Sequence, residues 1–184
     1  GVQNQKIISK LSGHKFGVQS VIFSPNQQYL VSLGVQHDGN IFVWNWKTET
    51  RILSNKLSTK INSISFSTDS SYFVTCGKNH LKYWYLDSLK VNLPSFCFFL
   101  FFSFLFLKII INQLVTFNGT QSLEGKTANL GKFRNNNFVD VVCGKGEYRN
   151  LIFVVTFDGS LISMDNSREI QEIIDLKVIF FHIS

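Results

Sequence analysis

The chain has 184 residues and a formal net charge of +6, a length that can bury one core of ordinary size. Its lysines and arginines are scattered and form no basic run, so the composition does not favour a nucleic-acid partner. The three cysteines, Cys76, Cys97 and Cys143, form no Cys-x-x-Cys pair. We therefore expect buried thiols in a reducing compartment and no metal site.

Two stretches of about 40 residues can be laid over one another, the first opening on Gly13-His14 and ending on Trp44-Asn45. In the second, Ile64–Ser67 matches Val21–Ser24, and Trp84 matches the tryptophan of the first. A repeat of this length, built from short apolar runs, predicts propeller blades of four antiparallel strands. Strands are expected over 5–12, 18–24, 28–34, 40–45 and 50–57, then over 61–67, 71–77 and 80–86.

The first stretch contains a set of residues at the spacing of the WD-repeat signature: His14, Ser32, Asp38 and Trp44. In WD repeats such residues form a buried hydrogen-bonded relay, so the resemblance implies a structural relay here. Asp38-Gly39 supplies the residues that a tight turn between two strands prefers. The same residue types occur in catalytic triads, but their spacing is that of the repeat, so we interpret them as structural.

The second stretch keeps only part of this set. Thr75 and Trp84 are present, but there is no Gly-His pair, and Lys78 stands where the aspartate would be. We therefore expect a blade without the relay. His37 and His80 fall near blade turns with no second ligand at metal spacing, and we expect both to be exposed.

Residues 94–111 interrupt the repeat pattern with a phenylalanine-rich apolar run. The run is long enough for a transmembrane helix, and a buried pair of strands or a family-specific insertion are further interpretations. A retained intron is the interpretation we favour. Val91-Asn92 can be encoded as a 5′ splice site, Gln113 as a 3′ splice site, and the codons between them as a pyrimidine-rich tract.

A divergent third blade is predicted in residues 114–177. Residues 114–137 are polar and indicate a long connection, and strands follow at 138–143, 151–157, 161–164 and 168–176. Asp158-Gly159 lies six positions before Met164, as Asp38-Gly39 does before Trp44. Residues 178–184 would begin a fourth blade. The predicted fold is therefore all-β, a partial WD40 propeller of about three blades from a larger propeller, which the family resemblance given below implies is double.

No motif in the chain predicts catalysis. The run from Gly119 to Thr127 resembles a phosphate-binding loop, but its spacing is one residue too long and no buried parallel strand leads into it. We find no nucleophile elbow and no pair of carboxylates at catalytic spacing. The sequence therefore predicts no enzyme, no catalytic residue, no cofactor and no metal.

Several runs resemble one particular WD-repeat family, the mitogen-activated-protein-kinase-binding scaffolds with their spindle-pole, microcephaly-associated relative. They include Leu11–Val18, Val43–Lys47, His80–Leu86, Arg134–Phe138 and Val142–Gly146. The resemblance covers residues 8–90 and 114–177 and skips 91–113. Together with the repeat pattern, it divides the chain into two blades over 5–90, the insert 91–113, the connection and third blade over 114–177 and the end 178–184.

This resemblance implies a protein-binding scaffold in stress-activated kinase signalling or at the spindle pole. The expected partners are kinase-pathway or centrosomal and microtubule proteins, without nucleic acid, and oligomers would form through regions beyond this chain. The expected location is the cytoplasm or the cytoskeleton, because no signal peptide is visible. A ciliary or microtubule-associated WD protein is one alternative, and a protein anchored in a membrane through residues 94–111 is the other.

Overall fold

The structure, a computed structural model, describes residues 7–86 and 121–176. Within these residues, thirteen β-strands form three sheets, and short 3-10 helices lie at Gly131–Phe133 and Gly146–Tyr148. Each sheet is one blade, and the first strands of the three blades lie side by side. The all-β, partial-propeller architecture expected from the sequence is confirmed.

The three blades share one pattern of antiparallel neighbours. Blade one contains β1 (Val18–Phe23), β2 (Leu30–Gly34), β3 (Asn40–Asn45) and β4 (Thr50–Lys56), and β8 (Gln121–Ser122) adds to β4 in parallel. Blade two contains β5 (Ile61–Phe66), β6 (Tyr72–Gly77), β7 (His80–Tyr85) and β9 (Gly125–Thr127). Blade three contains β10 (Phe138–Cys143), β11 (Leu151–Thr156), β12 (Ser160–Asp165) and β13 (Ile170–Asp175).

The hairpins close on residues with a positive φ. Gly39 has φ +59° in the turn between β2 and β3, and a Cβ there would lie 3.0 Å from the carbonyl oxygen of Leu57. The matching turn of blade two uses Asn79, with φ +52°. Asparagine tolerates this region better than most residues, so both turns follow from their sequences.

The apolar side chains form two clusters, one between each pair of neighbouring blades. The first packs Val43 and Leu53 of blade one against Phe73 and Trp84 of blade two, together with Leu123. The second packs blade two against blade three. The middle blade is buried on both faces, which explains why β6 does not alternate between apolar and polar residues and why all six of its residues are buried.

Cys76 and Cys143 lie buried in the second cluster as free thiols. Burial raises the pKa of Cys76 to about 12 and that of Cys143 to about 11. Both thiols therefore act as small apolar side chains at neutral pH. Cys97 lies outside the described residues.

Two expectations about strands are wrong. Residues 7–12, the described part of the strand expected over 5–12, form none. Residues 121–137, expected to be part of a plain connection, contain β8, β9 and a 3-10 helix, and β9 supplies the fourth strand of blade two. Strands of two and three residues are too short to show the alternation that identifies a strand in sequence.

The apolar run 94–111 and the end 178–184 lie outside the described residues, so their interpretations stay predictions. In the parts of the chain that the structure describes, no helix is long and apolar enough to span a membrane.

Candidate functional site

The WD-signature residues of blade one lie in a single hydrogen-bonded chain. Trp44 Nε1 donates to Ser32 Oγ at 2.8 Å, Ser32 Oγ lies 2.7 Å from His14 Nε2, and His14 Nδ1 lies 2.6 Å from Asp38 Oδ2. Indole can only donate, so the Ser32 hydroxyl accepts a hydrogen bond from Trp44 and donates one to His14 Nε2. In the tautomer with its proton on Nδ1, His14 then donates to Asp38. Each polar side-chain group of this relay therefore has a hydrogen-bond partner.

Asp38 is the anionic end of this chain and is buried. Burial alone would raise its pKa, but hydrogen bonds from His14, the Lys15 amide and Asn40 lower it to about 2. The Lys15 amide lies 2.8 Å from Asp38 Oδ1. The carboxylate thus joins the loop before β1 to the turn between β2 and β3.

Glycines make room for the relay. A Cβ on Gly34 would lie 2.2 Å from Asp38 Oδ2 and 2.7 Å from His14 Nδ1, and a Cβ on Gly13 would lie 2.9 Å from Trp44 Cη2. These distances are too short for any side chain. The glycine of the Gly-His pair is therefore required by packing against the indole ring, not by its backbone angles.

Blade two has a shorter relay that the sequence interpretation missed. Trp84 Nε1 donates to Thr75 Oγ1 at 2.8 Å, and Thr75 Oγ1 lies 2.8 Å from His80 Nε2. The expectation that His80 is exposed is wrong, since its exposed fraction is 6%. His80 begins β7 directly opposite Gly77, so its ring reaches Thr75 from within the sheet instead of from the preceding loop. His37 is exposed, as expected.

The electrostatics of the second relay differ from those of the first because it contains no carboxylate. Burial, with a smaller effect from the charge of Lys82, lowers the pKa of His80 to about 4. The imidazole is therefore neutral near pH 7 and accepts the hydrogen bond of Thr75.

Blade three places Asp158 and Gly159 in the turn between β11 and β12, where φ of Gly159 is +91°. Asp158 accepts hydrogen bonds from Thr156 Oγ1 and from Asn136 Nδ2. Met164 stands in the tryptophan position and is fully buried. The blade therefore retains the turn of the repeat but replaces the indole donor with an apolar side chain.

The inner strands carry a further repeated feature that sequence reasoning missed. Each has an irregular register at its second residue, which is Gln19 in β1, Asn62 in β5 and Val139 in β10. Gln19 Nε2 donates to the carbonyl oxygen of Ile61 at 2.6 Å, and Asn62 Nδ2 donates to that of Phe138 at 2.8 Å. In both cases a bulged amide reaches the first residue of the next blade's inner strand. Val139 has no side-chain amide, so it cannot make this contact, and its exposed fraction is 43%.

The arrangement of His14, Ser32 and Asp38 does not suit nucleophilic catalysis. The Ser32 oxygen is buried and already bonded to Trp44 as well as to His14, so no substrate atom has access to it. Among residues 7–86 and 121–176, no group of three histidine, cysteine or acidic side chains is placed to hold a metal ion.

This architecture defines a class of protein. Four-stranded blades joined in sequence, with a tryptophan that donates to a hydroxyl and a histidine bonded to that hydroxyl, are those of a WD-repeat propeller. The family model described as "WD domain, G-beta repeat" matches residues 5–45 and 47–85. The crystal structure of the RRP9 WD40 repeats superposes with a TM-score of 0.58 over 89% of this chain and 40% of that one. Its 12% sequence identity supports the fold alone.

The curated relatives narrow the class. The chain is 36% identical to mitogen-activated protein kinase-binding protein 1 of Mus musculus over 181 residues, which is 98% of this chain and 10% of the relative. It is 34% identical to WD repeat-containing protein 62 of Sus scrofa over 177 residues, 96% of this chain and 10% of that protein. Cilia- and flagella-associated protein 52 of Homo sapiens is 31% identical over 90 residues, 46% of this chain and 14% of that protein.

The chain therefore belongs to the WD-repeat proteins, and the resemblance to the mitogen-activated-protein-kinase-binding scaffolds is confirmed. It spans about a tenth of the length of the first two relatives.

Proposed function

We propose that this chain is part of a non-catalytic WD-repeat scaffold of the cytoplasm, which binds proteins in stress-activated kinase signalling or at the spindle pole. One observation carries the proposal: the 36% identity to a protein named for binding a mitogen-activated protein kinase extends over 98% of the chain. The likeness to WD repeat-containing protein 62 covers nearly as much. The spindle-pole part rests on the family resemblance drawn from the sequence.

The proposal contains no catalytic role, because the histidine, serine and aspartate of blade one are used in structural hydrogen bonds. Propeller blades instead present loops on a rigid frame, which suits the binding of other proteins.

A ciliary or microtubule-associated function is the second candidate. It is supported by 31% identity to cilia- and flagella-associated protein 52. That similarity covers 46% of the chain, so the kinase-scaffold proposal has the broader support.

The test uses the full-length protein. Isothermal titration with a purified stress-activated mitogen-activated protein kinase should show direct binding, and a fluorescent fusion should gather at spindle poles in mitosis if that part of the proposal holds. A Gly34→Val variant, which cannot keep the blade-one relay, serves as the misfolded control. Axonemal localisation without kinase binding would favour the second candidate. Absence of both kinase binding and spindle-pole localisation would overturn the proposal.

A further inference from the structure

The loops at one end of the strands form a continuous surface across the three blades. It consists of the loops that lead into β1, β5 and β10 and the turns that follow β2, β6 and β11, that is residues 13–17, 35–39, 57–60, 78–79, 131–137 and 157–159. We call this surface the basic face.

Direct contacts join these loops to one another. In blade one, the Lys15 amide donates to Asp38 in the neighbouring turn at 2.8 Å. Between blades two and three, the Asn79 amide donates to the carbonyl oxygen of Asn136 at 2.9 Å, and Asn136 Nδ2 lies 3.1 Å from Asp158 Oδ2. These contacts fix the two loops of blade one relative to each other, and likewise the loops of blades two and three.

The basic face carries an excess of positive charge. Its five cationic side chains are all exposed: Lys15, Lys60, Lys78, Lys132 and Arg134. Its two carboxylates are already engaged, Asp38 in the buried relay and Asp158 with Thr156 and Asn136. Within the described residues, none of the five cations lies within ion-pair distance of a carboxylate.

The turns at the opposite end of the blades show no such excess. They consist of residues 24–29, 46–49, 67–71, 144–150 and 166–169. These turns hold four cations and four carboxylates. The positive charge of the blades is therefore concentrated on one face, where it raises the local concentration of acidic partners.

Exposed aromatic rings add apolar anchors to this charge. Phe16 is 69% exposed in the loop before β1, and Phe157 is 78% exposed in the turn after β11. Aromatic side chains are enriched at the centres of protein-binding surfaces. The cations stand one or two to a loop and form no run along a groove, which fits separate carboxylates better than a continuous phosphate backbone.

We propose that the basic face binds an acidic, carboxylate-rich segment of a protein partner. The inference rests on the proposed scaffold function and adds the surface and the chemistry of the partner to it.

The test compares two matched charge reversals in the full-length protein. One variant carries Lys15→Glu, Lys78→Glu and Arg134→Glu on the basic face. The other carries Lys47→Glu, Lys145→Glu and Arg149→Glu, which are exposed on the opposite face and change the net charge by the same amount. The probe is a fluorescein-labelled peptide of alternating glutamate and serine, and its binding is followed by fluorescence anisotropy. Equal melting curves establish that both variants fold.

Reversal of the basic face should weaken binding of the peptide by about tenfold or more, whereas the opposite-face variant should change it by about twofold or less. Added salt should weaken binding to the wild type, and a peptide with glutamine in place of glutamate should not bind. Equal losses in the two variants, or equal binding of the glutamine peptide, would overturn the inference. Tighter binding of an oligouridylate that competes with the peptide would identify the surface as a nucleic-acid site instead.

Failure of this inference is distinguishable from failure of the proposed function. Kinase binding to the wild type, combined with unchanged peptide binding by the basic-face variant, would leave the scaffold function standing and remove the docking surface. Peptide binding that depends on the basic face, in a protein that shows neither kinase binding nor spindle-pole localisation, would remove the proposed scaffold function and leave the docking surface standing.

Discussion

Lowering the pH should destabilise blade two through His80, because the relay needs this imidazole to be neutral. His80 is buried at the start of β7, and its Nε2 lies 2.8 Å from the Thr75 hydroxyl, which also accepts from Trp84. Protonation would remove the acceptor that Thr75 uses. It would also place a positive charge in the core with no described carboxylate paired to it.

The sign and size of the effect follow from the pKa of His80, which falls from 6.5 to about 4 on folding. Below pH 6.5, His80 is protonated in the unfolded chain but stays neutral in the folded chain. The contribution of His80 to folding stability is therefore fully present above this pH and is lost as the pH falls towards 4. Between about pH 7.5 and about pH 5 the loss from this group is on the order of 2 kcal/mol.

Urea denaturation of the full propeller-containing protein at these two pH values measures the effect. His80→Gln keeps an acceptor near Thr75 but cannot titrate, so its stability should change with pH by about 2 kcal/mol less than that of the wild type. His37→Gln alters an exposed histidine and should retain the wild-type dependence. Other groups titrate alike in all three proteins and cancel in the comparison. If His80→Gln and wild type lose the same stability over this range, the neutral buried relay is refuted.

Three further predictions concern the blades and the insert. Trp44→Ala and Trp84→Ala should each cost about 3–5 kcal/mol for the lost ring and about 1–3 kcal/mol for the hydroxyl left without a donor, so their denaturation midpoints should shift equally. A clearly smaller shift for Trp84 would contradict the second relay. Gln19→Leu should lower the free energy of unfolding by about 1 kcal/mol, because the Ile61 carbonyl loses its donor, whereas Val139→Leu should have little effect. Equal shifts in thermal midpoint would count against the contact made by the bulged Gln19. The mature transcript should lack the codons of residues 91–113, and reverse-transcription PCR that returns mainly the longer product would reject the retained intron.

The repeat pattern was sufficient to predict most strands, because each blade strand is a short apolar run bounded by turn residues. For example, β3 spans Asn40–Asn45 as expected, and β10 spans Phe138–Cys143. The strands that it missed, β8 and β9, are held by pairing with distant strands and not by any pattern of their own. The expected strand over 5–12 is not seen in residues 7–12, although Ile7 and Ile8 gave it an apolar character.

The relay of blade one could be anticipated because all four residue types occur at signature positions. The relay of blade two could not, because His80 performs from a strand the role that His14 performs from a loop. The signal that could have predicted this relay is a histidine five residues after Thr75 and four before Trp84. The hairpin between β6 and β7 is short, so His80 lies close to Thr75 on the neighbouring strand. The bulged amides Gln19 and Asn62 depend on contacts between blades, which the sequence of one blade does not contain.

Blade two is completed by a strand that returns after a long excursion of the chain. Four residues join the third and fourth strands in blades one and three, whereas 39 residues separate β7 from β9. Removal of residues 91–113 would leave 16 of these, and the difference in loop-closure entropy is only about 0.8 kcal/mol. The position of the returning strand is set by its own residues. Leu123 is fully buried between blades one and two, and Asn55 donates to its carbonyl at 2.7 Å. A Cβ on Gly125 would lie 2.5 Å from the Trp84 ring, so only glycine fits against the indole there. Closure of blade two therefore depends on residues 123–127 and is compatible with either length of connection. The fold consequently neither requires nor excludes the removal of residues 91–113.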